Sequence, residues 1–227
     1  MKYEEIIEIL HSKANPSNVI GMARFGISSK NTLGVSMPGI REIAKIIKKN
    51  HELAIELWDS EIHEARILAG LIAEPKKMTK TLADKWVADF DSWDVCDQVC
   101  SNLLDKVEFR DEKIFQWAES DEEFIRRAAF ATIATDAVHN KKRDDEEYLQ
   151  FFPIIIKYAS DNRNFVRKAV NWAIRQIGKR SAYLNIKAIE LCEELLRIYP
   201  EDKTVRWICA DALRELTSEK ILARIKK

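Results

Sequence analysis

Residues that break or bend a chain are scarce in this sequence. Its 227 residues include only 6 glycines and 5 prolines, whereas strand-rich folds need many such residues for their turns. No run of about 18 apolar residues is present, so no membrane-spanning helix is expected. These absences favour a soluble protein made of long helices joined by short loops.

Cysteine and histidine are few and dispersed. The four cysteines show no C-x-x-C spacing, and the four histidines form no cluster. Cys96 and Cys100 would share a helix face and could ligate a metal, but no further Cys or His lies near them in sequence. P-loop, GxGxxG and HExxH motifs are also missing, so neither a metal nor a cofactor is predicted. The chain starts in an acidic amphipathic pattern, not a signal peptide, so we expect buried, reduced thiols in a cytoplasmic protein.

Charge of one sign is not in excess. The 37 basic and 37 acidic residues give a formal net charge of zero, which argues against a strong general nucleic-acid binder. The exception is the stretch from Lys157 to Lys187, which holds eight basic residues and a single acid, Asp161. This basic stretch is either a solvated helix pair or a surface that meets phosphates, and charge alone leaves both interpretations open.

What the sequence does contain is a repeat. Three similar segments open with an apolar or β-branched residue and an early arginine, and those arginines, Arg126, Arg167 and Arg206, are 41 and 39 residues apart. Periods of this length with two helices each are typical of HEAT-type arrays. We therefore predict an all-α fold of HEAT-like helical repeats, an α-α superhelix whose concave face is lined by the second helix of each pair. We expect one domain over residues 1–227 and a monomer.

One helix start combines residue types that suggest chemistry. In the segment Ser92–Asp97, Trp93 and Asp97 lie four residues apart and so share a helix face. An indole beside a carboxylate could be structural, with Trp93 packed between repeats and Asp97 paired with an arginine. The repeat alignment adds that Asp97, Arg127 and Trp172 fall near equivalent positions of successive second helices. They would then converge on one wall, with the basic stretch around Trp172.

These motifs resemble a known family. The patterns Ser-Trp-Asp-x-x-Asp at Ser92–Asp97, Arg-Ala-Ala at Arg127–Ala129 and Lys-Ala-x-x-Trp at Lys168–Trp172 occur in the order and spacing of the AlkD-type alkylpurine DNA glycosylases. That group belongs to the HEAT-like DNA alkylation repair family. Met22–Arg24 and Gly34–Pro38 are also similar to that family, so the resemblance covers nearly the whole chain.

The resemblance implies a function and a site. It implies hydrolysis of the N-glycosidic bond of cationic N3- or N7-alkylpurines in double-stranded DNA, without a lysine nucleophile and without a cofactor or metal. Asp97 would be catalytic, stabilising the oxocarbenium-like sugar and orienting a water. The residues that would bind the lesion or the DNA around it are Trp93, Arg127, Trp172, Lys168, Arg175 and Lys179.

Alternatives to excision remain open. The resemblance implies that active members carry a second N-terminal helix that probes the minor groove. Here the corresponding residues 19–31 include Gly21, Gly26 and the run Ser28–Asn31, which predict at most a short helix. The segment is more similar to diverged members that excise poorly. The three hypotheses are an alkylpurine glycosylase, an inactive relative that binds DNA weakly, and a HEAT-like scaffold for a protein partner.

Overall fold

A computed structural model describes residues 1–225 of the chain. Those residues form fourteen α-helices and three short 3₁₀ helices, with no strand among them, and this confirms the all-helical prediction. The chain divides into two compact units, Met1–Arg110 and a second that begins at Asp111. The single domain over residues 1–227 stays a prediction. Within residues 1–225, no helix is both long and apolar enough to cross a bilayer.

The first unit contains seven α-helices and two 3₁₀ helices. The α-helices are α1 (Tyr3–Ser12), α2 (Pro16–Ala23), α3 (Met37–Ile47), α4 (His51–Asp59), α5 (His63–Ile72), α6 (Lys80–Ala88) and α7 (Trp93–Asn102). The 3₁₀ helices are Pro75–Lys77 and Leu104–Lys106.

The second unit contains the remaining seven α-helices, of which the first starts at the unit boundary. They are α8 (Arg110–Ala118), α9 (Glu123–His139), α10 (Phe152–Tyr158), α11 (Asn164–Gly178), α12 (Ala182–Ile198), α13 (Lys203–Leu216) and α14 (Glu219–Ile225), with a 3₁₀ helix at Asp145–Phe151.

Helix pairs stack through their second members. In the first unit α4 packs on α5, and α5 packs on α7. In the second unit α12 packs on α13, and α11 packs on both α9 and α13. Small residues allow these close contacts, because Ala128 and Ala129 of α9 and Ala169 and Ala173 of α11 are all fully buried. We call α5, α7, α9, α11 and α13 the second helices below.

Short-range signals set several helix starts. The Asn15 side chain accepts hydrogen bonds from the backbone N–H groups of Ser17 and Asn18 at the start of α2. Ser36 caps α3 in the same way, and Pro38 lies in its first turn. α2 spans only eight residues, buries none of them and ends at Ala23, so residues 19–31 contain at most a short helix, as predicted. In α3, Ile40 and Ile43 are buried, whereas Ile46 is 69% exposed.

A buried carboxylate holds the loop that follows α2. Glu64 of α5 accepts hydrogen bonds from the backbone N–H groups of Leu33, Gly34 and Val35 at 2.9, 2.6 and 3.3 Å. Gly34 has φ +77°, and a Cβ there would lie 2.2 Å from the Asn15 carbonyl oxygen. Only glycine fits this position, so the resemblance noted at Gly34–Pro38 has a structural cause.

Candidate functional site

The start of α7 presents Trp93 and Asp97 on neighbouring turns of one helix face. Both side chains are half-buried, so neither is sealed in the core. The indole N–H of Trp93 donates to the carbonyl oxygen of Phe25, in the turn after α2, at 3.0 Å. Ser92 stands at the N-cap position, but its hydroxyl makes no capping bond. The hydrogen bond to Phe25 therefore holds the Trp93 indole against the N-terminal segment.

A buried ion pair lies beside this helix start. His63, the first residue of α5, contacts Asp94, the second residue of α7, through Nε2 and Oδ2 at 2.8 Å. Burial lowers the pKa of His63, but the hydrogen bond and charge of Asp94 outweigh it and raise the pKa overall. The same bond lowers the pKa of Asp94 against the effect of its own burial.

Sequence analysis missed this pair because its members are 31 residues apart. A signal for it existed, since both residues occupy the first turn of successive second helices. His63 and Asp94 join α5 to α7 at the end where Trp93 lies. The pair therefore fixes the position of the candidate residues on α7.

Arg127 is buried within α9 of the second unit, with 5% of its surface exposed. One guanidinium nitrogen donates to the backbone carbonyl of Phe165, near the start of α11, at 2.6 Å. The Phe165 ring stacks on Phe124 with centroids 5.3 Å apart. Arg127 thus links α9 to α11, and the predicted contact of Arg127 with the lesion or the DNA around it would have to be made from this buried position.

Trp172 lies half-buried on α11, one turn beyond Lys168. In the amide orientation that satisfies its neighbours, the Gln176 side-chain oxygen accepts from Trp172 Nε1 at 3.0 Å and from Lys179 Nζ at 3.2 Å. These residues form a continuous partly exposed row along one helix face. Trp172 is accessible on that row, as a lesion-facing indole requires.

Helix bounds refine the predicted alignment of positions. Asp97, Arg127 and Lys168 are each the fifth residue of their second helix, whereas Trp172 is the ninth residue of α11. Trp172 is therefore one turn removed from the equivalent position, and Lys168 occupies it. The prediction that Trp93, Asp97, Arg127 and Trp172 surround one lesion stays a prediction.

Carboxylates neutralise most of the basic stretch. Arg175 and Lys179 both bind Glu215 of α13 at 2.7 Å, and burial of Glu215 is outweighed by these two bonds, which lower its pKa. Four further cations of the stretch have acidic partners, in the pairs Lys157–Glu119, Arg163–Asp161, Arg180–Asp145 and Lys187–Glu190. Of the three cations in the basic stretch that are predicted to contact DNA, Arg175 and Lys179 are thus already in ion pairs.

The two remaining cations of the basic stretch lie together at the start of α11. Among residues 1–225, neither Arg167 nor Lys168 has a carboxylate partner. Each instead lies near an aromatic ring, with Arg167 Cζ 5.0 Å from the Trp207 centroid and Lys168 Nζ 6.0 Å from the Phe165 centroid. The two cations of the basic stretch without a carboxylate partner are therefore both next to aromatic rings.

The candidate residues offer a carboxylate, two indole rings and a positive charge. Asp97 supplies a carboxylate, Trp93 and Trp172 supply ring faces that attract cations, and Lys168 supplies a positive charge. In the part of the chain that the structure describes, no three His, Cys, Asp or Glu side chains gather where a metal ion could be held. The four cysteines are free and buried.

Comparison with known proteins gives the family. The model of the family described as "DNA alkylation repair enzyme" matches residues 6–216. An uncharacterised protein of Listeria innocua, Lin0241, is 25% identical over 204 residues, which are 87% of this chain and 88% of that protein.

A solved structure has the same fold. It is described as a new family of proteins related to the HEAT-like repeat DNA glycosylases with affinity for branched DNA structures. It matches 86% of this chain and 83% of its own, with a TM-score of 0.74 and 21% identity, and so it shows the fold. From its repeated helix pairs and a family match over nearly its whole length, this chain belongs to the DNA alkylation repair enzyme family and has a HEAT-like repeat fold.

Proposed function

We propose that this protein binds DNA and hydrolyses the N-glycosidic bond of cationic N3- or N7-alkylpurines. The observation that carries the proposal is the pairing of an accessible carboxylate and an accessible indole, Asp97 and Trp93, on one face of α7. Family membership supports a repair role, because the matching family is one of alkylation repair enzymes.

The reaction needs little from the protein beyond electrostatics. An N3- or N7-alkylated purine is already positively charged and leaves readily, so breaking its glycosidic bond develops positive charge on the sugar. Asp97 as a carboxylate would stabilise that charge and orient the attacking water. Trp93 and Trp172 would attract the cationic nucleotide through their ring faces. Lys168 would contact the DNA backbone, and Arg127 would hold the phosphate next to the lesion.

Release of alkylpurine from methylated duplex DNA tests this proposal. We expect Asp97→Asn to lower single-turnover release by about 100-fold or more, the range that loss of one preorganised charge-stabilising group produces. Asp91→Asn, an exposed aspartate outside α7, is the matched control and should keep the wild-type rate. If wild type and Asp97→Asn release base at the same rate, Asp97 is not catalytic.

A second candidate is DNA binding without excision. The eight-residue α2 with no buried residue and the branched-DNA affinity of the solved relative favour it. Its test compares binding to a four-way junction and to a linear duplex of the same sequence, with base release measured in parallel. Tight junction binding with no release would favour this candidate over the glycosylase. Absence of binding to either DNA at about 50 mM salt would leave the scaffold hypothesis.

A further inference from the structure

A partly exposed indole lies on the last pair of packed second helices, outside the predicted lesion site. Trp207 is the fifth residue of α13 and is 39% exposed. It holds on α13 the position that Lys168 holds on α11. The two helices are tied together by the Asn171 side chain of α11, which donates to the Ile208 carbonyl at 3.0 Å. Trp207 is therefore fixed in place while keeping ring surface open to a ligand.

The cations around Trp207 are the ones that lack acidic partners. Arg167 lies over its ring, Lys168 occupies the matching position on α11, and Lys203 lies four residues earlier on the same face of α13. None of the three forms an ion pair among the described residues. The acids nearest in sequence are engaged elsewhere. The N-cap residue Asp202 accepts from the backbone N–H groups of Thr204 and Val205, Glu201 binds Arg206, and Asp211 binds Arg214. The positive charges around the Trp207 ring therefore favour binding of an anion.

We propose that Trp207, Arg167, Lys168 and Lys203 form a site for an unpaired nucleotide of DNA. The base stacks on Trp207, and the flanking phosphates contact the three cations. The inference rests on the DNA-binding part of the proposed function and is independent of excision by Asp97. We call this set the nucleotide platform.

The charge of the three cations and the size of the exposed ring together favour an unpaired nucleotide as the ligand. A single open ring flanked by unpaired cations is the combination that single-stranded nucleic acid binds, by stacking bases and neutralising phosphates. Bases within a duplex are stacked on each other and offer no free face, so the platform needs an unpaired base at a branch, a gap or a flap. A protein partner would require a larger apolar surface than one indole.

The contact between α11 and α13 does not by itself explain why the cations near Trp207 have no acidic partners. Packing of Arg167 on the indole holds α11 to α13, but it does not require that Lys168 and Lys203 lack carboxylates. Elsewhere on the same two helices cations are compensated, as Arg175 and Lys179 are by Glu215. The uncompensated charge is confined to the vicinity of the exposed ring.

The test uses the full-length protein and two DNAs of equal length. One is a fully paired duplex, and the other carries a single-stranded flap with 2-aminopurine next to the branch. We expect the wild type to quench 2-aminopurine fluorescence on binding. Trp207→Ala should abolish the quenching and weaken flap binding about tenfold, with duplex binding changed less than twofold. Tyr183→Ala, which removes a ring of similar exposure (38%) on α12, is the matched control and should change neither value.

The remaining outcomes each decide the question. Lys168→Ala combined with Lys203→Ala should weaken binding of both DNAs and flatten the salt dependence, because fewer phosphates are contacted. Unchanged quenching and affinity in Trp207→Ala would overturn the platform while DNA binding stands. A wild type that binds neither DNA would overturn the platform and the DNA-binding proposal together. Loss of affinity without loss of quenching would also overturn it, because stacking would then occur elsewhere.

Thermal unfolding of each variant identifies any misfolded protein, and Trp207→Phe, which keeps a ring, should retain part of the quenching.

Discussion

At the scale of single residues, the most informative contact is between His63 and Asp94. The imidazole is 5% exposed and the carboxylate 18% exposed, so the pair is shielded from water, and removing one partner leaves a charge that is poorly solvated. Its position next to Trp93 and Asp97 means that the protonation of one buried histidine bears on the geometry of the candidate site.

The pair makes the stability of the protein depend on pH. The pKa of His63 is raised, so its contribution is complete below the ordinary value of about 6.5 and is lost as pH rises through the folded value. The pKa of Asp94 is lowered, so its contribution is complete above its ordinary value of about 4 and is lost in stronger acid. The pair therefore stabilises the fold most between those two ordinary values.

We expect His63→Gln to lower the free energy of unfolding by about 2 kcal/mol at pH 5.5 and by less than about 1 kcal/mol at pH 8.5. Urea denaturation at the two pH values measures the difference. His11→Gln, at an exposed position on α1, serves as the control and should stay within about 0.5 kcal/mol at both. An equal loss from His63→Gln at both pH values would show that packing, and not the ion pair, is what the substitution removes.

At the scale of elements, the fourth residue of a second helix has a recurrent structural use. Arg126 of α9 donates through Nε to the carbonyl of Ala118, the last residue of α8, at 2.9 Å. Arg206 of α13 reaches the carbonyl of Pro200, just beyond α12, at 2.8 Å. Both arginines donate to a backbone carbonyl at the end of the preceding helix or just beyond it, where carbonyls have no intrahelical partner. Arg126 and Arg206, two of the three periodic arginines, therefore bind backbone carbonyls, whereas Arg167 lies over the Trp207 ring.

Burial should separate the energetic contributions of the two arginines. Arg126 is 9% exposed and binds Asp161 at 2.7 Å, and its Cζ lies 4.1 Å from the Tyr158 ring centroid. Burial by itself would raise the pKa of Asp161, but the bonds from Arg163 and Arg126 outweigh it and lower that pKa to about 2. We expect Arg126→Ala to cost about 3 kcal/mol of stability and Arg206→Ala less than about 1 kcal/mol. Chemical denaturation of the two variants measures this, and equal costs would contradict the argument from burial.

The sequence was sufficient to predict elements but not their partners. Apolar periodicity and the scarcity of glycine predicted helices, and the repeat period predicted their pairing, because both signals are local or regular. The ion pairs of the basic stretch escaped prediction, since Glu215 is 40 residues from Arg175 and 36 from Lys179. Which acid meets which cation depends on how helices stack. The same limit hid the contact between Arg167 and Trp207.

At the scale of the whole molecule, the zero net charge conceals an arrangement of compensated and uncompensated cations. A protein that contacts phosphates releases counterions in proportion to the cations it offers, so the slope of affinity against salt counts them. Arg175 and Lys179 would contribute only if Glu215 yields to a phosphate. The lowered pKa of Glu215 means that it remains ionised and competes with DNA for both cations.

Removing that competition should strengthen DNA binding. We expect Glu215→Gln to raise duplex affinity about threefold to tenfold near 100 mM salt and to steepen the log–log salt slope by about one to two, since each additional phosphate contact contributes roughly 0.9. Fluorescence anisotropy titrations at several salt concentrations measure both quantities.

Glu190→Gln is the matched control because it changes the net charge equally but releases Lys187 on α12, a first helix of its pair. We expect it to raise affinity by less than twofold. If the two variants gained equally, the effect would come from net charge alone, and Arg175 and Lys179 would have no place in the DNA contact. A gain confined to Glu215→Gln would instead mean that the row from Lys168 to Lys179 faces the DNA backbone, and that the acid on α13 limits how tightly this protein binds DNA.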